Sequence, residues 1–190
     1  MINSSYLNEG NIEKIRGLFY SDTEFPSIKL QNFLDKDSYR KIAKDVPNFR
    51  YKKKILPMQC SYSAAKAPKI LEDFLNSKLL KNFISKIIGA KAKKISGNLC
   101  SFGWKDYTLL HDKKVENPGF DLIIDFTEYW DEKADGRLIY TDGRGNYNYI
   151  HSSPNTLIVA HRRQNIQKFV QYINHYANKD KRYLFMGLIK

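Results

Sequence analysis

The feature that most constrains this chain is a change of period at Gly89. Upstream, Ile70, Leu71, Phe74 and Leu75, then Leu79, Leu80, Phe83, Ile84, Ile87 and Ile88, recur at three- and four-residue steps. That spacing puts them on one face of a helix. Asn76-Ser77 interrupts the run and Gly89 stops it, so the spacing predicts two helices, the second closed by a C-terminal glycine. Downstream, apolar residues come in short runs and alternate, which is the period of a pleated strand. Eight strands are predicted, over 94–102, 107–111, 120–126, 137–140, 147–151, 156–161, 168–172 and 183–189. Turn-forming residues separate them at Asn117-Pro118-Gly119, Asp135-Gly136, Asp142 to Asn146 and Ser153-Pro154-Asn155.

Evenly spaced short strands after a helical start point to an α+β chain that is mainly β. The expected form is a double-stranded β-helix, a jelly roll of cupin-like type, with N-terminal helices buttressing one sheet. A length of 190 residues suits one domain, with 1–93 as helical buttress and 94–190 as jelly-roll core. Within the buttress, Ile12, Ile15 and Leu18 predict a short helix with Asn11 as a possible cap. Residues 25–30 alternate as a strand, and Asp35 is placed to cap a helix over 36–44. Strand character returns over 49–56, and the small residues of 63–67 end that stretch.

Aromatic residues make up 14% of the chain, which suits a strand-rich interior. Two cysteines, Cys60 and Cys100, allow neither a disulfide framework nor a thiolate zinc quartet, so a reducing, cytoplasmic setting is expected. No basic-then-apolar leader opens the chain and no run of apolar residues is long enough to span a bilayer. The net charge of +12 would attract an acidic protein or peptide, or nucleic acid. Lys and Arg are spread along the whole chain without a zinc-finger spacing or a stacking strand, so nucleic acid is the weaker of the two.

One histidine stands beside one carboxylate at the end of an apolar strand, His111-Asp112. Neutral imidazole and carboxylate oxygen together suit Fe(II) and leave coordination positions open. The alternatives are a satisfied core histidine and a carboxylate that caps a turn. Arg182 leads into the apolar run Tyr183-Leu184-Phe185-Met186. A cation there is costly to bury unless a carboxylate meets it, and its planar fork suits a dicarboxylate. The alternative is a surface cation paired with Asp180 or Asp112. His151 and His161 read as structural.

Several pieces then fall in a recognisable order: Phe25 to Ile28 with Asn32 to Asp35, the helix from Leu79 to Gly89, and Tyr107 to Asp112. Trp130 with Gly136, Leu138 and Tyr140 follows, then Pro154-Asn155-Thr156-Leu157, and finally Arg182-Tyr183 with Gly187. In this order the chain resembles the prolyl-4-hydroxylase-like branch of the 2-oxoglutarate/Fe(II)-dependent dioxygenases. The resemblance implies Fe(II) held by His111, Asp112 and His175, and 2-oxoglutarate anchored by Arg182, with Tyr107 and Tyr140 as further contacts. It implies hydroxylation of a C–H bond, on a prolyl or other protein residue.

Two positions depart from the family pattern. The family has His-x-Asp, and position +2 from His111 is Lys113. The family's distal His-x-Val-x-x-Val spacing lands on Lys168, or on Gln171 when counted back from Arg182, and the nearest histidine is His175, which shares a face with Phe169, Gln171 and Ile173 if the strand runs that far. These departures leave a second expectation, an iron-free jelly roll that serves as a binding or scaffold protein.

Overall fold

The computed structural model describes residues 1–110 and 118–190. Helix α1 (Glu9–Phe19) buries Ile12, Ile15 and Phe19, and its cap is Asn8, whose side chain accepts from Gly10 N, rather than Asn11. Strand β1 (Ser27–Leu30) leads to α2 (Lys36–Ala43), where Asp35 accepts from Ser38 N as predicted. Strands β2 (Lys52–Leu56) and β3 (Cys60–Lys66) form a hairpin. Helices α3 (Lys69–Leu75) and α4 (Lys78–Ile88) follow, and α4 stops at Gly89 in the left-handed region, where a residue without Cβ is favoured.

Among the described residues, eight strands come after Gly89. They are β4 (Ile95–Phe102), β5 (Tyr107–Thr108), β6 (Gly119–Asp125), β7 (Leu138–Thr141), β8 (Tyr147–Ile150), β9 (Thr156–Arg162), β10 (Gln167–Val170) and β11 (Arg182–Ile189). The strand not foreseen is β3, because Ser61, Ser63, Ala64 and Ala65 carry little intrinsic strand preference. Pairing decides the matter, with β2 along one side and β4 along the other.

The large sheet is antiparallel in the order β1-β9-β6-β11-β4-β3-β2, with β5 paired to β3, and a smaller sheet has the order β10-β7-β8. Strands from the first ninety residues therefore form both edges of the large sheet. At its centre, β11 pairs with β4 from Arg182↔Phe102 to Ile189↔Ile95, and with β6 on its other side. Gly97 faces Gly187 across β4 and β11, and a Cβ on Gly97 would fall on the Met186 carbonyl oxygen.

Strand alternation sorts the large sheet into two cores. Leu122 and Ile124 of β6, with Leu157, Val159 and Phe185, pack against the helices. Ile123, Ile158 and Leu184 face the other way and meet Leu138, Tyr140, Ile150 and Val170 of the small sheet. Asp121 and Asp125 share the period-two face of Ile123, so β6 sends two carboxylates into the space between the sheets. Among the described residues, no helix is long and apolar enough to cross a membrane.

Candidate functional site

The charges between the sheets form two layers, four residues apart on β6. In the first, the Asp121 carboxylate is fully buried and meets three side chains. Lys168 Nζ donates to its Oδ1 at 2.9 Å, Arg162 donates through Nε and Nη2 at 3.2 and 3.3 Å, and Tyr140 Oη donates at 3.1 Å. The arginine contact is the two-point, fork-on-carboxylate kind that adds direction to charge. Arg162 comes from the end of β9, Lys168 from β10 and Tyr140 from β7, so the ion cluster ties the two sheets together.

In the second layer, Arg182 donates through Nη2 to Asp125 Oδ2 at 3.2 Å and through Nη1 to the Gly136 carbonyl. Both side chains are 1% exposed, so Arg182 is not the surface cation that a pairing with Asp180 would need. Asp125 also accepts from Ser152 Oγ at 2.9 Å, Ser153 N at 3.2 Å and Thr127 N at 2.9 Å. Its charge reaches further. Burial pushes the Tyr39 phenol up to about 12, and the neighbouring Asp125 carboxylate adds to that. Lys29 is pulled down by burial, with Asp125 opposing the shift.

A cavity of about 430 Å³ opens beside the first layer. Tyr62, Cys100, Phe102 and Met186 line it, and the β2–β3 hairpin reaches it through Leu56 and Gln59. Lys168 is the one charged side chain among the described residues that line it. Burial drives the Cys100 thiol up to about 12.

The candidates from the sequence fall differently. Arg182 and Tyr140 are buried between the sheets, in separate layers. Tyr107 is half-buried on β5, its ring 6.3 Å from that of Tyr172. His111 and Asp112 lie outside the described residues. His175 does not continue a strand: β10 ends at Val170, and His175 sits exposed on a 3-10 turn, its ring 4.5 Å from that of Tyr176. His161 stacks on Phe120, and burial, then Arg163, lowers its pKa, in keeping with a structural role. Asp121, Asp125 and Arg162 were not singled out in advance. The available signal was two carboxylates four apart in the apolar strand Gly119–Asp125, which a period of two puts on one buried face.

Lys168, one of the two positions at which the resemblance would put a distal iron ligand, does not fit an iron ion. The spacing that resembles the family's distal motif begins at Lys168, and its side chain points between the sheets to Asp121. An ammonium has three donors and no lone pair, so it cannot ligate a cation and repels one nearby. The adjacent carboxylate is already shared among lysine, arginine and tyrosine. Among the described residues, no group of three or more His, Cys, Asp and Glu could hold a metal.

The fold is similar to that of prolyl hydroxylases and 2-oxoglutarate/Fe(II) oxygenases of known structure. A Pseudomonas putida prolyl-4-hydroxylase superposes with a TM-score of 0.70 at 10% identity, over 93% of this chain and 98% of that one. A Trichoplax adhaerens prolyl hydroxylase gives 0.72 at 11% identity, over 98% and 91%. An oxidoreductase of the 2OG-Fe(II) oxygenase family from Burkholderia pseudomallei gives 0.67 at 11% identity, over 95% and 91%. No family model and no curated relative matches the sequence. The chain is thus similar to these oxygenases in its path through space.

Proposed function

We propose that this chain is a double-stranded β-helix of the oxygenase type that has become a binding module working without iron. The order of β4 to β11 supports the jelly-roll reading, since β4, β6, β9 and β11 lie in the large sheet while β7, β8 and β10 face them. The short β5 ties to both sides, pairing with β3 and accepting from Val170 N through Thr108 Oγ1 at 2.7 Å. The observation that carries the iron-free reading is the contact between Lys168 and Asp121. Where the resemblance would have a histidine, this chain has an ammonium that donates to a buried carboxylate and has no lone pair to offer a metal. Both cysteines are free thiols, which suits a reducing, cytoplasmic setting.

One observation favours a second reading, a working 2-oxoglutarate/Fe(II)-dependent hydroxylase. Arg182 is buried at the first position of the last strand, where the resemblance puts the residue that holds the cosubstrate. Under that reading the distal carboxylate of 2-oxoglutarate would take the place of Asp125 on Arg182, and His111 with Asp112 would carry the metal. The experiment is a calorimetric titration of the protein with Mn(II), as a stand-in for Fe(II), at neutral pH. The binding-module reading expects no stoichiometric uptake. One tight equivalent that disappears in His111→Ala, and that permits saturable 2-oxoglutarate binding, establishes the enzyme instead.

A further inference from the structure

The edge of the large sheet beside the cavity has the features of a docking strand. Strand β2 ends the sheet order, so one side of it carries backbone N–H and C=O groups with no neighbouring strand among the described residues. All five of its residues, Lys52-Lys53-Lys54-Ile55-Leu56, are exposed. The end of β2 and the turn after it hold up apolar surface, with Ile55 64%, Leu56 54% and Met58 86% exposed. Register sorts the side chains. Lys54 lies opposite Tyr62 and Leu56 opposite Cys60, and Tyr62 packs on the core between the sheets. Lys52, Lys54 and Leu56 are therefore on the cavity side. Lys54 Nζ sits 5.7 Å from the centre of the Tyr62 ring, and Leu56 and Tyr62 both line the cavity. Lys53 turns the other way, to Asp106.

We propose that β2 accepts an extended acidic segment of a partner protein as an additional strand, with one apolar side chain of that segment seated in the cavity. Each part has a physical reason. Main-chain pairing along an open edge gives affinity without regard to sequence, and a pocket beside it selects the side chain that points inward. The lysines select the sign: they favour carboxylates opposite them and repel a second copy of this +12 chain. Lysines commonly guard edges against self-pairing, and here the guard excludes copies while leaving the edge open to an acidic strand. The inference rests on the binding-module reading, which leaves the cavity to a side chain, but its measurement is separate from the metal titration.

The test is fluorescence anisotropy at low salt with a labelled peptide that alternates glutamate with valine and carries one central leucine. A second peptide of the same sequence, N-methylated at alternate residues, and an oligothymidylate serve as comparisons. Saturable binding of the first peptide is expected, weakened about tenfold or more by Lys52→Glu with Lys54→Glu and abolished by N-methylation, which removes the strand's donors. Binding that survives N-methylation, equal affinity for the oligothymidylate, or no saturable binding overturns the proposal. The peptide comparison needs no variant, so a misfolded mutant cannot imitate the result. Peptide binding lost alongside a protein that takes no metal removes this inference alone, whereas stoichiometric metal uptake removes the reading on which it stands.

Discussion

Arg182 and Asp125 meet at 3.2 Å with both side chains 1% exposed, so the start of β11 carries an ion contact shielded from water. Removing one member leaves the other buried with its charge uncompensated. Asp125→Ala is therefore expected to cost about 3–5 kcal/mol in urea denaturation, whereas Asp125→Leu combined with Arg182→Met should be milder than either single change. A double variant as damaging as the sum of the singles would mean that the two side chains act independently.

The Asp121 carboxylate joins Lys168, Arg162 and Tyr140, so substitutions around it should be ranked. Tyr140→Phe removes one neutral donor and is expected to cost about 1 kcal/mol. Asp121→Ala removes the carboxylate from two buried cations and should cost several times more, about 3–5 kcal/mol. Chemical denaturation of the two variants in parallel checks the ranking, and equal losses would show that Asp121 is not the hub.

With its thiol pushed up to about 12 by burial, only about one Cys100 in ten thousand is a thiolate at pH 8. N-ethylmaleimide should thus modify Cys100 in a Cys60→Ser variant far more slowly than a free thiol, at a rate that rises in denaturant. The linkage has a sign as well. A folded pKa above the unfolded value near about 8.5 contributes stability below that value, and the contribution is lost as pH rises from there toward the folded value. Cys100→Ala should flatten the alkaline limb of a stability profile.

Gly97 opposes Gly187 across β4 and β11, and an added Cβ would land on a main-chain oxygen rather than on a side chain that could swing away. Gly97→Ala should cost about 1–3 kcal/mol or more through forced backbone movement. Gly17→Ala, with nothing within 4 Å of the added atom, is the control and should be neutral or stabilising.

Much of the fold was legible because hydrophobic period is a local signal. The change at Gly89 marked where helices give way to strands, and the eight strands that follow lie within a few residues of where alternation put them. The strand Cys60–Lys66 was not legible, since its Ser and Ala residues carry no pattern and only pairing on both sides makes them a strand. Of the site, Arg182 stood out as a lone cation leading an apolar run, and it is buried against a carboxylate. Which carboxylate could not be read: Asp125 is 57 positions away and meets it only through sheet register. His175 would share the strand face only if β10 ran that far, but the ladder of β10 with β7 ends at Val170↔Leu138, a single bridge joins Ile173 to Asp135, and His175 sits on a 3-10 turn.

The place of β11 at the middle of the large sheet has a consequence for how the protein is made. Synthesis delivers β1 to β10 first, and these can assemble two partial sheets, β1-β9-β6 and β4-β3-β2, once their strands have emerged. Neither can join the other until residues 182–189 arrive, because among the described residues β11 is the strand that pairs with both β4 and β6. During that interval the facing edges of β4 and β6 are exposed, and long-range strand pairing of this kind is slow. A nascent chain of this protein therefore remains two half-sheets with open inner edges until residues 182–189 leave the ribosome, and that is the stage at which a chaperone would have most to protect.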